Sequence, residues 1–235
     1  MKRYFFFILF CYSISIFGQQ KSIVVYGDTR TNHDIHQKVV DAIESVDPVA
    51  VFHTGDLVGY GVMAKNWEVF DTITDSMRKK SKFYPALGNH EMESKKFYNH
   101  FDVPKTGYYS ENINGIHFIV LNSNIDVSKE SEQYKWLEDD LKSVDDSVLF
   151  KIIVMHHPPF STGKHQPDEK SLRKSIVPLF EKYGVDIVFS GHDHCYERSF
   201  VNGIYYIIAG GGGAPLYGQQ IKSEFLQLYL NQYHF

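Results

Sequence analysis

Short apolar runs alternate with amphipathic stretches along most of the chain, and this alternation is the strongest constraint on its fold. Five apolar runs are typical of buried strands: 23–26, 49–53, 83–87, 150–155 and 185–189. Between them, segments such as 33–45 and 64–77 carry apolar residues at helical spacing. Strands that alternate with helices predict an α/β fold with helices outside buried sheets. Asn114-Gly115, between two further apolar runs, predicts a β-hairpin, so the sheets are expected to be mixed.

Each of the five predicted strands ends in a short polar cluster. The clusters contain Asp28, Asp56, Asn89 with His90, His156, and His192 with Asp193 and His194. Because the carboxyl ends of strands in such a sheet lie along one edge, residues far apart in sequence are expected to meet there. A single Gly-Asp after a strand is more typical of a helix cap or a turn. Five such clusters, each after an apolar run, favour a shared site.

The residue types in these clusters are those that bind metal ions. Two aspartates, one asparagine and up to four histidines offer oxygen and imidazole ligands. With no thiolate among them, this set suits Mn, Fe or Zn rather than a soft metal. The chain is also rich in histidine, with 12 in 235 residues. The sequence therefore predicts a metal site at the strand carboxyl-end rim.

Five sequence blocks, in this order, resemble those of a known enzyme family. They are GDTR, GDLVGYG, GNHE, VMHHPP and GHDHCYER, within a stretch from about residue 23 to residue 214. The ordered set resembles the calcineurin-like metallophosphoesterases, and GNHE with the last two blocks is most similar to the purple acid phosphatase branch. The resemblance implies a four-layer α/β/β/α sandwich with mixed sheets and a two-metal site at the strand carboxyl-end rim.

The same resemblance assigns metal ligands by position. The matching residues are Asp28, Asp56, Asn89, His156, His192 and His194. Asp56 would bridge the two metals, Asp28 and His194 would complete the first site, and the other three would complete the second. Two cations held roughly 3.5–4 Å apart by a shared carboxylate bind phosphate oxygens and produce hydroxide from bound water near neutral pH. His157 follows His156 directly and is expected to point away and not to ligate.

Three further residues are candidates for contact with a substrate. His90 resembles the family's histidine that contacts the phosphoryl group and protonates the leaving oxygen. His165, in the segment FSTGKH, resembles a substrate-side histidine of the purple acid phosphatases. Arg30 stands where the commoner family pattern has a histidine, and an arginine does not ligate a metal. It either binds substrate phosphate through its planar fork or forms a surface ion pair.

The second block departs from the purple acid phosphatase pattern in two ways. The tyrosine ligand of that branch falls at Gly59 here, and Tyr60 lies one residue further along. Tyr60 ligates the first metal if its loop bulges, and otherwise is a packing or gating residue. The family's acidic partner of His90 is also missing, because Gly59 and Gly61 occupy the corresponding positions. Without a tyrosine ligand the first site has three protein side chains, and the sequence does not identify the group that orients His90.

The N-terminal segment has the pattern of an export signal. Lys2 and Arg3 precede an uncharged, mostly apolar stretch over residues 4–17. This predicts a signal peptide over residues 1–18 and a metallophosphoesterase domain over 19–235, with a secreted or periplasmic location. The run is short for a membrane span, and an uncleaved anchor is the alternative. The chain stops at Phe235 just after an apolar stretch, which also fits a truncated C-terminus.

These observations predict an exported metallophosphoesterase that uses two metal ions, which are Fe, Mn or Zn. The favoured reaction is hydrolysis of phosphate monoesters, as in acid phosphatases, by attack of a metal-bound hydroxide. The alternatives are a phosphodiesterase or nucleotide pyrophosphatase, a binding-only protein with a weakened first site, and a cysteine enzyme using Cys195. The net charge of −4, with no basic block of five residues or more, argues against nucleic acid as the partner. A small phosphate ester is the expected partner.

Overall fold

The first sheet contains three parallel strands connected by helices. The computed structural model describes residues 22–91, 94–165, 168 and 170–235. The elements of this half are β1 (Ile23–Tyr26), α1 (His33–Ser45), β2 (Ala50–His53), α2 (Ala64–Lys80) and β3 (Lys82–Pro85). The strands lie in the order β1-β2-β3, and their register aligns Tyr26 with His53 and His53 with Pro85. The carboxyl ends of the three strands are therefore level.

The second sheet contains seven strands and is mixed. They are β4 (Tyr109–Ile113), β5 (Ile116–Val120), β6 (Phe150–Val154), β7 (Ile187–Ser190), β8 (Tyr196–Val201), β9 (Ile204–Ala209) and β10 (Leu226–Leu230). Their order is β10-β8-β9-β7-β6-β5-β4. β5, β6, β7 and β9 are parallel neighbours, whereas β4, β8 and β10 join the sheet antiparallel. The centre of this sheet thus has its carboxyl ends at one rim.

The remaining helices begin and end at recognisable local signals. A short 3₁₀ helix (Asn89–Glu91) is followed by α3 (Lys95–His100), α4 (Glu132–Ser143), α5 (Leu172–Ser175) and α6 (Val177–Tyr183). The Ser131 hydroxyl caps α4 by accepting the Tyr134 N–H at 3.1 Å. Gly184 ends α6 in the left-handed conformation, with φ 64°. The predicted hairpin turn at Asn114-Gly115 is also confirmed, since β4 and β5 pair antiparallel across it.

Three apolar layers hold the sheets and helices together. Between the first sheet and α1 and α2 lie Val24, Tyr26, Val40, Ile43, Val51 and Met77. Between the second sheet and α4 and α6 lie Ile119, Leu137, Ile153, Phe180 and Val188. The middle layer lies between the two sheets, where the Phe52 ring stacks on Phe118 with centroids 4.2 Å apart. The predicted four-layer α/β/β/α sandwich is confirmed, although the first sheet is wholly parallel and only the second is mixed.

Two parts of the second half differ from the sequence-based expectation. The apolar spacing over residues 171–183, with Gly184 as a stop signal, predicts a single helix, but the structure has α5 and α6 with a break at Ile176. Pro178 lies in the first turn of α6, where its missing N–H is tolerated and where it favours a new helix start. The apolar residues 201–204 and 206–209 around Asn202-Gly203 predict a second hairpin, but its first strand, β8, begins earlier, at Tyr196, because the charged residues Glu197 and Arg198 mask the apolar pattern. β10 was not predicted at all.

The predicted signal peptide over residues 1–18 lies outside the described residues. Within the part of the chain that the structure describes, no helix combines the length and apolar character needed to cross a membrane.

The middle layer makes a direct prediction about stability. Phe52 is fully buried between the Tyr84 ring at 4.9 Å and the Phe118 ring at 4.2 Å. Phe52→Ala is expected to lower the free energy of unfolding by about 3–5 kcal/mol, because it leaves a cavity between two sheets. Phe200→Ala, at a position 41% exposed on β8, is the matched control and should cost less than about 1 kcal/mol. Urea unfolding measures both, and equal losses would contradict the assignment of Phe52 to the core.

Candidate metal centre

The six predicted metal ligands meet at the rim where the strands end. Each lies in the segment that follows β1, β2, β3, β6 or β7, with Asn89 at the start of the 3₁₀ helix after β3: Asp28, Asp56, Asn89, His156, His192 and His194. The two sheets contribute jointly, since the first carries both aspartates and the asparagine and the second carries the histidines. Asp28, Asp56 and the three histidines are buried, whereas Asn89 is exposed. The convergence expected from strand ends is therefore present.

The contacts within the cluster join residues from different loops. His156 Nε2 lies 2.9 Å from Asn89 Oδ1, 3.2 Å from His192 Nδ1 and 3.4 Å from Asp56 Oδ1. The backbone N–H of His192 donates to both carboxylate oxygens of Asp28, at 3.0 and 3.1 Å. Candidate ligand atoms of Asp28, Asp56 and His156 all lie within 4.8 Å of one another. This compactness is that of a site for one or two small cations.

The backbone at the cluster is held in an uncommon conformation. Asp28, Asp56 and His192 have φ values of 57°, 57° and 68°, in the left-handed region that few non-glycine residues adopt. Such residues cluster at functional sites, where the surrounding structure holds them in place. Gly191 also leaves no room for a side chain, because a Cβ atom there would lie 2.3 Å from Asp28 Oδ2. The loops are thus shaped around the two aspartates.

The two buried carboxylates create an excess of negative charge. Burial raises the pKa of Asp28 well above its usual value, and the nearby Asp56 raises it further. Burial acts in the same direction on Asp56, but His156, His90 and Arg30 outweigh it and hold the pKa of Asp56 below its usual value. A cation between the two carboxylates would relieve the repulsion between them.

The histidines present lone pairs rather than positive charge to the cluster. Burial lowers the pKa of His156 and of His192, and it lowers the pKa of His194 to about 4. His156 Nδ1 donates to the Thr54 carbonyl at 3.0 Å, so in the neutral ring Nε2 has a lone pair. That lone pair faces the carbonyl oxygen of the Asn89 side chain at 2.9 Å, and neither atom can donate to the other. Converging acceptors of this kind fit a metal ion, so the residues present match a metal centre.

Arg30 is part of this cluster rather than of the surface. Its Nε donates to Asp56 Oδ2 at 3.3 Å, and its Nη2 lies 3.4 Å from His194 Nε2. The side chains of Arg30 and Asp56 are only 18% and 2% exposed. His194 Nδ1 donates to the Pro215 carbonyl at 2.7 Å, which leaves Nε2 as the acceptor for the guanidinium. The surface ion pair, one of the two interpretations of Arg30, does not describe this geometry.

The structure supplies the orienting group of His90 that the sequence leaves open. His90 Nδ1 donates to the backbone carbonyl of Gly59 at 2.7 Å. Its Nε2 lies 3.8 Å from Asp56 Oδ2, on the side of the cluster. A backbone oxygen in the second block thus does what an acidic side chain does in the family pattern.

Tyr60 lies apart from the six clustered residues. Its side chain is 58% exposed, and its ring centroid is 6.3 Å from that of His90. A cavity of about 170 Å³ beside it is lined by residues that include Arg30, Gly59 and Asn66. A Cβ atom at Gly59 would meet only Asn66 Nδ2, at 4.0 Å. The loop does not bury Tyr60 in the cluster, and the space beside Gly59 is open.

His157 does not point away from the cluster, and that orientation prediction is wrong. Its ring centroid lies 5.0 Å from that of His156 and 4.6 Å from that of His192. The strand alternation on which the prediction rests ends with β6 at Val154, so it does not extend to these residues. His157 Nδ1 is 2.8 Å from the Ser123 hydroxyl.

Two buried acidic residues at the site were not singled out from the sequence. Glu91 accepts the backbone N–H groups of Gly88, Asp56 and Val58 at 2.7, 3.0 and 3.2 Å, which ties the loop after β3 to the loop after β2. Burial, followed by the charge of Asp56, raises the pKa of Glu91 to about 8. Asp193 lies between His192 and His194 and contacts His165. Glu91 and Asp193 each lie within a sequence block that contains predicted ligands, GNHE and GHDHCYER, and this position is the signal by which they could have been found.

Cys195 has none of the features of a nucleophile. It is fully buried, and burial raises the pKa of its thiol. Reactive cysteines need a lowered pKa and access to substrate, so the structure gives no support to a cysteine mechanism.

Comparisons of sequence agree with this geometry. The model of the calcineurin-like phosphoesterase family matches residues 21–196. The chain is 34% identical over 173 residues to purple acid phosphatase 15 of Arabidopsis thaliana, which covers 63% of this chain and 32% of that protein. It is 29% identical over 202 residues to purple acid phosphatase 21 of the same plant, covering 75% and 46%. The chain thus spans about a third to a half of the length of these relatives.

Comparisons of structure show the same fold in solved proteins. A purple acid phosphatase from yellow lupin (Lupinus luteus) seeds superposes with a TM-score of 0.81 at 22% identity, covering 92% of this chain and 49% of that chain. A dimetal phosphatase from Danio rerio gives a TM-score of 0.66 at 13% identity, covering 89% and 98%. These two likenesses concern the fold alone. Because the family model matches well over half of its residues, this chain belongs to the calcineurin-like phosphoesterase family.

Proposed function

We propose that this protein is a metal-dependent phosphatase that hydrolyses phosphate monoesters. The observation that carries the proposal is the buried cluster in which candidate ligand atoms of Asp28, Asp56 and His156 lie within 4.8 Å of one another at the strand-end rim. The monoester preference is supported by the purple acid phosphatases among its relatives. A phosphodiesterase acting through the same cluster is the alternative, which a panel of substrates would distinguish.

Two cations would be held by sets of residues that share Asp56. The two oxygens of this carboxylate face different neighbours, since Oδ1 lies 3.4 Å from His156 Nε2 and Oδ2 lies 3.3 Å from Arg30 Nε. Asp28 and His194, which contact each other at 3.6 Å, would complete the first set. Asn89, His156 and His192 would complete the second. When bound, the cations supply positive charge that holds phosphate oxygens and lowers the pKa of water.

The protein's own side chains would bind the substrate and move protons. Arg30 presents a planar guanidinium at the edge of the cluster, which matches two oxygens of a phosphate group. His90 is fixed through Nδ1 by the Gly59 carbonyl, so its Nε2 faces the cluster, and in the doubly protonated ring Nε2–H can give its proton to the leaving oxygen. His165 lies beside His192, with ring centroids 3.9 Å apart. No protein nucleophile is required.

The location of the protein is a separate proposal. The positively charged start and the apolar stretch over residues 4–17 support export to the periplasm or the medium, with removal of residues 1–18. N-terminal sequencing of protein recovered outside the cytoplasm tests it, and an intact N-terminus on that protein would contradict cleavage.

Replacement of the shared carboxylate tests the metal centre. Asp56→Asn is expected to lower hydrolysis of p-nitrophenyl phosphate more than about a hundredfold, because it weakens both metal sets together. Elemental analysis of the same sample should show fewer than the two ions per chain of the unaltered protein. Asp139→Asn, at a side chain 79% exposed on α4, is the matched control and should change neither quantity. Two bound ions without turnover in the unaltered protein would instead support the binding-only alternative.

Replacement of the two adjacent histidines after β6, His156 and His157, tests which of them is a ligand of the second metal. His156→Ala should lower turnover more than about a hundredfold, whereas His157→Ala should cost less than about tenfold. The reason is that His156 Nε2 contacts Asn89, Asp56 and His192, while His157 Nδ1 is engaged by the Ser123 hydroxyl. Steady-state kinetics with metal analysis measures both variants. Equal losses of metal would show that His157 is a ligand.

Arg30 has an expected effect on substrate binding. Arg30→Ala should raise the KM for an aryl phosphate about tenfold, because a charge-assisted contact to phosphate is lost. Two bound metal ions should be retained, as measured on the same sample. An unchanged KM would remove Arg30 from the substrate contacts.

A further inference from the structure

Asp193 occupies a buried position between two of the predicted metal ligands but contacts a different part of the molecule. We propose that Asp193 is a positioning residue that clamps the loop of residues 161–165 and thereby holds His165 against the cluster for contact with the substrate phosphate. The inference rests on the proposed function, in which His165 faces the substrate. It assigns a role to a residue that neither the sequence motifs nor the metal set requires.

The carboxylate of Asp193 accepts hydrogen bonds from three residues of the 161–165 loop. Its Oδ1 accepts the backbone N–H groups of Lys164 at 2.9 Å and His165 at 3.0 Å, and it also accepts from His165 Nδ1 at 3.1 Å. Its Oδ2 accepts the Ser161 hydroxyl at 2.5 Å. Asp193 is fully buried, so these bonds replace its contact with water. Four contacts from one carboxylate to one short loop fix both the path of the backbone and the His165 ring.

The loop is shaped so that it can approach this carboxylate closely. A Cβ atom at Gly163 would lie 2.7 Å from Asp193 Cγ, which only a glycine avoids without movement of the loop. The Ser161 hydroxyl, which donates to Asp193, also accepts the Gly163 N–H at 2.9 Å. The close packing shows that the loop and Asp193 form one unit rather than an accidental contact.

A second buried acid anchors the same loop without touching the histidine. Glu197 Oε2 accepts both the N–H and the hydroxyl of Thr162 at 2.8 Å. Within this loop Glu197 holds only Thr162, whereas Asp193 holds Ser161 and also the end of the loop that carries His165. The two buried carboxylates are therefore a matched pair: Asp193 is expected to affect kinetics through His165, whereas Glu197 has a structural role.

The consequence of the clamp is a fixed imidazole beside the cluster. With Nδ1 donating to Asp193, the other ring nitrogen, Nε2, faces the substrate, and in the doubly protonated ring Nε2–H donates to a phosphate oxygen. The side chain of His165 is 26% exposed, so a ligand can reach it, and its ring lies against His192 with centroids 3.9 Å apart. A ring already held in its bound orientation loses little rotational freedom when it contacts a phosphate.

A double-mutant cycle tests the coupling. Asp193→Asn and His165→Ala are each expected to lower kcat/KM for p-nitrophenyl phosphate about tenfold, and the double variant is expected to lose little more than either single variant. Glu197→Gln is the control and should retain kcat/KM to within about twofold. Metal content is measured on every variant, because Asp193 neighbours two predicted ligands. Fully additive losses, or a loss in Asp193→Asn that follows lost metal, would overturn the proposal.

A milder variant guards against misfolding of Asp193→Asn. Ser161→Ala removes one bond to the carboxylate and leaves Asp193 and His165 in place. It should lower kcat/KM by about two- to fivefold, in the direction of His165→Ala and with metal content unchanged. If His165→Ala is as active as the unaltered enzyme, the positioning role fails while metal-dependent hydrolysis stands. If the unaltered, metal-loaded protein has no turnover, the proposed function itself fails.

Discussion

The packing of the two sheets on each other determines where every candidate residue of the site lies. Phe52 of the first sheet stacks on Phe118 of the second, in the layer where the two sheets pack face to face. In this packing the parallel strands of both sheets have their carboxyl ends at one rim. Asp56 then meets His156, and Asp28 meets the backbone of His192, in contacts that cross from one sheet to the other. A shift of one sheet relative to the other would separate these pairs. The apolar layer and the polar cluster are therefore parts of a single arrangement.

The cluster is stabilised by polar groups that belong to the loops themselves. Backbone N–H groups donate hydrogen bonds to the carboxylates of Asp28, Glu91 and Asp193. Backbone carbonyls accept hydrogen bonds from the rings of His90 and His156. Buried charges of this kind are tolerated where their hydrogen bonds are complete. The side chains facing the centre of the cluster are consequently oriented before anything binds. An imidazole that donates one N–H to a carbonyl presents its other nitrogen to a metal or a substrate.

Much of the fold and most of the candidate site could be predicted from the sequence. The apolar runs that end in Asp28, Asp56 and His192 carry a strand signal and a chemical signal together, so their meeting follows from the topology of an α/β sheet. The orientation of His157 could not be predicted in this way, because the chain leaves the strand before it. The hydrogen bond from His90 to the Gly59 carbonyl could not be predicted from a sequence pattern either, since every residue has a backbone carbonyl. The role of Asp193 could not be predicted either, because its partners lie on a loop that is distant in sequence.

The bond between His90 and the Gly59 carbonyl has a consequence for how this protein can change over evolutionary time. An acceptor that belongs to the main chain survives every side-chain replacement at its own position, provided that the local path of the polypeptide is kept. Since a Cβ atom at Gly59 would meet nothing closer than Asn66 Nδ2 at 4.0 Å, a small side chain fits at this position while the His90 ring keeps its orientation. The surface beside His90 can therefore gain new side chains without loss of the hydrogen bond that orients this ring.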